Sequence, residues 1–334
     1  MRYNLLGRTG LRVSELCLGT MTFGGSEGIW KAIGGLDQKM STDMVARALD
    51  VGINFFDTAD GYGGGDSETF LGRALGARRK DVIVATKAGF PTGSGHNDRG
   101  LSRVHLHAAV EASLRRLGTD YIDLYFAHKR DPLAPVDETM RALEDLVRAG
   151  KVRHLGVSNW PAWQMMHANA EARMSGWSRF ECAQVYYNLV ARELEREIVP
   201  FCEDQRVAVM VWSPLAGGVL TGKYGRQGQP PAEARRASFE LGPMDYAAVT
   251  RIVDVAREIA QAKAATVAQV ALAWLLAQKT VTSVIVGAKR MNQLEDNLGA
   301  ANLALSAADL ARLTEVSEPT PEYPGWYLKQ FDSF

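Results

Sequence analysis

Three apolar runs in this 334-residue chain lead into side chains suited to proton transfer. In "NFFDTADGYG", 54 to 63, Phe55-Phe56 gives way to Asp57, and Tyr62 follows on a glycine-flanked turn. "DVIVATK" ends on Lys87 and "YIDLYFAH" on His128. Gathered in one pocket, these would form a proton-transfer set, the ammonium favouring the phenolate and the acid keeping the ammonium charged. Taken singly, each has a plainer reading: Asp57 as a turn acid, Tyr62 as a rim aromatic, Lys87 as a solvated strand end, His128 as a satisfied interior histidine. The chemistry therefore depends on whether the fold brings them together.

The positioning elements are legible in the same way. Strand-length runs, "ELCLGT" (15 to 20), "INFFDTA" (53 to 59), "DVIVATK" (81 to 87), "YIDLYFAH" (121 to 128), "VRHLGVSN" (152 to 159), "ECAQVYYN" (181 to 188), "VAVMVWSPL" (207 to 215) and "SVIVGA" (283 to 288), alternate with amphipathic helices. Ser102 is an N-cap for a helix with Leu106, Val110, Leu114 and Leu117 on one face and Gly118 as its stop. Ser41 or Thr42 is expected to open another, carrying Met44, Ala48 and Val51 to Gly52, and Met140, Leu143 and Val147 line a third that closes at Gly150. Apolar strands separated by helices pair in parallel with both faces buried. Eight such units predict an α/β fold, a (β/α)8 barrel, after an N-terminal hairpin. A doubly wound sheet would need a glycine fingerprint after its first strand; "GTMTFGGSEG" lacks it, and "GYGGGDSE" has Asp66 in place of the third glycine. With no boundary linker, residues 1 to 334 read as one domain, with irregular stretches at 21 to 40, 216 to 245 and 317 to 334.

Composition narrows the partners. The 38 basic and 38 acidic residues cancel, so no long-range field would gather nucleic acid or an anionic membrane. Cys17, Cys182 and Cys202 are unclustered and read as reduced thiols; with no apolar leader in "MRYNLLGRTG", the expectation is a cytoplasmic protein acting on small molecules. His105 and His107 invite a metal reading. Within a helix they point about 200° apart, so they are expected at the surface and no metal is proposed.

In a barrel the C-terminal strand ends converge, here on Gly19-Thr20, Asp57, Lys87, His128, Ser158-Asn159, Gln184, Trp212-Ser213 and Gly287. With those ends come "FFDTADGYG", "ATK", "LYFAH", "GKVRHLGVSN", "AQVYYNL", "WSPLAGGVLTGKY" and "SVIVGAKRMNQLEDNL". In that order and across the chain, they resemble the aldo-keto reductases. The resemblance implies NADPH-dependent reduction of aldehydes or ketones, with Tyr62 as proton donor, Lys87 and Asp57 as its activators and His128 positioning the carbonyl. Carbonyl reduction needs a proton at oxygen, and a tyrosine of pKa about 10 is a reluctant acid unless an ammonium stabilises its anion.

The resemblance also distributes a cofactor site. Ser158, Asn159 and Gln184 match residues that hold the nicotinamide carboxamide, and Trp212 matches the aromatic under the ring. Gly19, Thr20, Met21 and Asp57 are placed in the same site. Ser213, Pro214, Leu215, Gly217 and Lys223 match the pyrophosphate loop, and Gly287, Lys289, Gln293, Asp296 and Asn297 the adenosine end. NADPH is expected in preference to NADH. The chain departs from the family pattern at Gly287-Ala288-Lys289-Arg290, which leaves Lys289, Arg290 or, from the loop after strand seven, Arg235 or Arg236 for the 2′-phosphate, with Arg236 favoured in that loop. Met21, Phe23, Trp30, Phe90, Trp160 and the tail aromatics Tyr323, Trp326, Tyr327 and Phe331 are candidates for a bulky apolar substrate pocket. Two further classes are weighed: a cofactor-loaded regulatory subunit, since the family includes potassium-channel β subunits, and a Schiff-base aldolase using Lys87, against which the nicotinamide-site residues argue.

Overall fold

The computed structural model describes residues 1–224, 244–328 and 330–331. A hairpin of β1 (Tyr3–Leu5) and β2 (Arg12–Ser14) precedes eight strands: β3 (Leu16–Gly19), β4 (Phe55–Asp57), β5 (Ile83–Ala88), β6 (Ile122–Ala127), β7 (Val152–Ser158), β8 (Phe180–Tyr186), β9 (Ala208–Trp212) and β10 (Val281–Val286). The eight pair in parallel in sequence order and β10 closes on β3, so the barrel expected from the alternating pattern is the one observed. Described helices are α1 (Gly28–Ile33), α2 (Gln38–Asp50), α3 (Asp66–Leu75), α4 (Arg103–Leu117), α5 (Val136–Arg148), α6 (Ala162–Ser175), α7 (Ile198–Gln205), α8 (Tyr246–Ala262), α9 (Val267–Leu276), α10 (Met291–Gly299), α11 (Ala307–Val316) and α12 (Gly325–Leu328).

Alternation along the strands divides the core in two. Cys17, Phe55, Ala85, Leu124, Phe126, Cys182, Ala208, Met210 and Ile285 fill the barrel, and the hairpin's Leu6 and Val13 join them from the N-terminal end. Their strand neighbours Leu16, Leu18, Phe56, Val84, Tyr125, Val209 and Val211 pack outward under the helices. A β-carbon at Gly156 would lie 2.4 Å from the Phe126 ring, so glycine lets that ring cross the barrel. Among the described residues no single helix is long and apolar enough to cross a membrane.

Two local expectations are corrected. α2 starts earlier than Ser41 or Thr42, because the Asp37 side chain accepts from the Met40 amide and caps it, while Ser41 bonds back to the Asp37 carbonyl a turn inside. His105 is buried, 3% exposed, rather than at the surface, and His107 is half-buried. The segment containing Asn97 and Asp98 lies close to the His105 ring, and burial pulls the imidazole below its usual range.

Candidate active site

Residues that follow an interior side chain by two positions also point inward, at the C-terminal mouth. Phe55 is followed by Asp57, Ala85 by Lys87, Phe126 by His128, Cys182 by Gln184 and Met210 by Trp212. Lys87 is fully buried; its Nζ donates to Asp57 Oδ2 and to the Thr58 carbonyl, each at 2.7 Å, and to Tyr62 Oη at 3.3 Å. Gln184 Nε2 holds the other Asp57 oxygen at 2.8 Å. The His128 ring meets Tyr62 edge-on, centroids 5.8 Å apart, and packs against Phe90 at 4.5 Å.

The electrostatics follow from burial and neighbours. Burial alone would strip the proton from Lys87, but Asp57 and Tyr62 more than offset it and the ammonium is held above its ordinary value. Burial raises the Asp57 carboxyl, and Lys87 and Gln184 pull it back. His128 is driven well below its usual range by burial, then by the Lys87 and Lys129 charges, so it is a neutral imidazole. Its Nδ1 is buried without a partner among the described residues, and the residue lines the cavity.

These groups open into a cavity of about 1060 Å³ whose lining runs from Tyr62 and His128 to Arg290 and Asn297. Of the positions singled out in the sequence, Gly19, Met21, Asp57, Ser158, Asn159, Gln184, Trp212, Ser213, Pro214, Leu215, Gly217, Lys223, Gly287, Lys289, Arg290, Gln293, Asp296 and Asn297 line it, and so do Trp30 and Phe90. Three do not. Thr20 is fully buried outside the barrel, its hydroxyl on the Asp57 carbonyl and Ser67. Phe23 is core, and Trp160 packs edge-on against Phe180 with 3% exposure. Arg235 and Arg236 lie outside the described residues, and the tail aromatics Tyr323, Trp326, Tyr327 and Phe331 are exposed and do not line the cavity. Sequence reasoning missed Ile29 and Ile33 of α1, which add apolar wall beside Trp30; a short amphipathic turn within 21 to 40 was the available signal.

The lining suits an extended dinucleotide. Trp212 is backed by Tyr186, centroids 4.7 Å apart, and its Nε1 donates to Asn159 Oδ1 at 3.2 Å. Asn159, at φ 60°, spends its amide hydrogens on the His128 carbonyl and Ser158 Oγ, and Gln184 spends its own on Asp57 and Met210, so the acceptor capacity these amides keep is the Gln184 oxygen and the second lone pair of Asn159 Oδ1. Positive φ at Ser213, Ala216, Gly217 and Gly218 curls the turn after β9 along the cleft, with the Ala216, Gly217 and Gly218 amides bonded back to Ser213 and Leu215. Among the described residues no side chain caps the nine-residue α10 at Arg290, and Gln293 and Asn297 stand at this helix end, the kind of terminus that favours anions. Lys289 Nζ donates to the Ala32 carbonyl at the end of α1, which ties that segment across the cleft.

Residues 15–318 match the model of the Aldo/keto reductase family. The chain is 38% identical to the "Uncharacterized oxidoreductase YrpG" of Bacillus subtilis, over 98% of this chain and 100% of that one. It is 35% identical to a "Probable voltage-gated potassium channel subunit beta" of Arabidopsis thaliana, over 98% and 100%. It is 34% identical to the "Versiconal hemiacetal acetate reductase" of Aspergillus parasiticus, over 97% and 99%. The chain belongs to the aldo/keto reductase family, oxidoreductases that use nicotinamide cofactors on small carbonyl compounds.

His128 generates a pH prediction. A histidine lowered on folding contributes stability that is fully present above its unfolded value, about 6.5, and is lost as pH falls below it toward the folded value. The His128 imidazole should show no NMR titration between about pH 6 and 8, and unfolding free energy should fall on acidification below about 6.5. Ordinary titration of that ring near neutrality would contradict its placement.

Proposed function

We propose that the protein reduces aldehydes or ketones to alcohols with NADPH, and that Tyr62 is the proton donor. The observation that carries the reading is the contact of a fully buried Lys87 with both Asp57, at 2.7 Å, and Tyr62, at 3.3 Å, at the floor of the dinucleotide-sized cleft. Bound there, a reduced nicotinamide supplies a hydride. Trp212 gives its ring a flat wall, and the acceptor oxygens of Asn159 and Gln184 receive the carboxamide. As the carbonyl carbon gains the hydride electrons, the π pair moves to oxygen and Tyr62 Oη gives that oxygen its proton. The tyrosinate left behind is stabilised by Lys87, whose charge Asp57 maintains, until solvent returns the proton. Neutral His128 donates Nε2–H to the carbonyl oxygen; a preorganised donor of this kind contributes about 10²–10³ in rate. In the reverse direction the same groups take a proton from an alcohol.

Trp30, Ile29, Met21 and Phe90 supply apolar walls, which favours a bulky apolar carbonyl compound over a small hydrophilic one. The likeness to a relative named as a probable potassium channel subunit beta supports a second reading, a cofactor-loaded barrel serving a partner protein. NADPH oxidation driven by a panel of aldehydes separates the two.

Tyr62→Phe should lower single-turnover hydride transfer by about 10²–10⁴ while NADPH still binds, since it removes one oxygen used at the transition state. Transfer within a few-fold of wild type would remove Tyr62 from its role. For the 2′-phosphate, Lys289 and Arg290 both line the cleft where α10 begins, and the arginine has a fork able to hold two phosphate oxygens. Arg290→Ala should weaken NADPH by at least about tenfold and leave NADH within about threefold, because a charge-assisted hydrogen bond contributes about 1.5–3 kcal/mol. Equal affinity of the wild type for both cofactors would make Arg290 a surface charge.

A further inference from the structure

Behind the turn that carries Tyr62 lies a second group of ionisable side chains, which the reaction above does not use. Asp60 is 2% exposed; among the described residues no side chain hydrogen-bonds either carboxyl oxygen, and the donor that faces it is the backbone amide of Gly61. From α3 it faces Glu68, fully buried, which accepts from Thr86 Oγ1 at 2.6 Å and, as an ion pair, from Arg116 Nε at 2.7 Å. From α4 comes Arg116 itself, from β5 Lys87, and from β6 the phenol of Tyr125, buried without a partner among the described residues. A buried carboxyl with no cation of its own, beside a second carboxyl already paired with Arg116, is pushed toward its neutral form by burial and by like-charge repulsion.

The group is coupled to Tyr62 through backbone and packing. The Asp60 amide donates to the Lys87 carbonyl at 3.1 Å. Gly63, Gly64 and Gly65, at φ 59°, 68° and 101°, form the turn after Tyr62, and a β-carbon on Gly65 would lie 2.8 Å from Arg116 Cδ. The turn thus rests on the Arg116 stem, and Asp60, Tyr62, Gly64 and Arg116 line the same cavity.

We propose that Asp60 is a positioning residue for this turn: uncharged, it leaves Arg116 wholly on Glu68 and Tyr62 seated on Lys87; ionised, it draws Arg116 off Glu68 and unseats Tyr62. The inference rests on the reading of Tyr62 as proton donor. Burial, and then the Glu68 charge, raise the Asp60 carboxyl to about 8, with Arg116, the Gly61 amide and Lys87 offsetting them only in part. The switch therefore falls on the alkaline side of neutrality. The proton lost from Asp60 passes to solvent, and no other bond changes.

The test is the pH profile of kcat/KM for aldehyde reduction in wild type and Asp60→Asn, each scaled to its own rate at about pH 7. Wild type should lose at least about tenfold through one ionisation near pH 8, and in Asp60→Asn that step should be absent up to about pH 9. Were the step the ionisation of Tyr62 itself, removing a neighbouring negative charge would leave it in place or move it to lower pH. Either of those outcomes overturns the inference. A second measurement needs neither the variant nor turnover: infrared spectra of wild type labelled with carboxyl-¹³C aspartate should show a protonated buried carboxyl at about pH 7 that is lost through about 8. A fully ionised Asp60 at neutrality overturns the inference by itself. A wild type that binds NADPH and reduces no carbonyl at any pH would overturn the reductase reading instead, and the infrared titration would still decide the charge of Asp60.

Discussion

The site depends on a buried ion pair. Lys87 has no solvent exposure, and Asp57 is 3% exposed. Removing two such charges from water costs several kcal/mol per ion unless close partners compensate. Compensation here is nearly complete: the ammonium has Asp57, the Thr58 carbonyl and Tyr62, and the second Asp57 oxygen has Gln184. A pair satisfied in this way tolerates little displacement. It fixes the ends of β4, β5 and β8 relative to one another, and it holds an unscreened positive charge beneath a phenol.

That charge also shapes its surroundings. It helps keep His128 a neutral imidazole rather than a second cation. The Asn159 amide donates to the backbone of His128 and its oxygen accepts from Trp212, so the aromatic wall and the imidazole are held by one side chain in a strained, positive-φ conformation. The strain sits where the chemistry requires position, and the packed barrel below supplies the rigidity. The mouth on the other side is closed more loosely, by α1 and its tie to Lys289.

Much of this was legible in the sequence because a strand repeats every two residues. Once Phe55, Ala85, Cys182 and Met210 are interior, Asp57, Lys87, Gln184 and Trp212 must follow them inward. The same rule explains an error: Cys17 and Gly19 face in, so Thr20 faces out. Trp160 failed for a different reason. It has the parity of Ser158, but β7 ends there and the positive φ of Asn159 breaks the alternation. Phe23 lies beyond β3, where no period applies. Helical geometry separated His105 from His107 correctly, but which face the 89 to 101 segment covers is a tertiary fact. For α2 only Ser41 or Thr42 was read as the opening residue, and the apolar period, which starts at Met44, carries no mark of the extra turn that Asp37 caps. The buried setting of the Asp60 carboxyl is invisible in sequence, because its neighbours from α3, α4, β5 and β6 meet there only after folding.

The central claim, that the Lys87 charge at the floor of the cleft is what makes Tyr62 a usable acid, is tested most directly by Lys87→Met, which keeps the length of the side chain and removes its charge. Stopped-flow hydride transfer from preloaded NADPH to an aldehyde should slow by at least about a hundredfold with cofactor affinity within about threefold of wild type. Transfer at a rate within a few-fold of wild type would show that the proton reaches the carbonyl oxygen without Lys87, and would contradict the account.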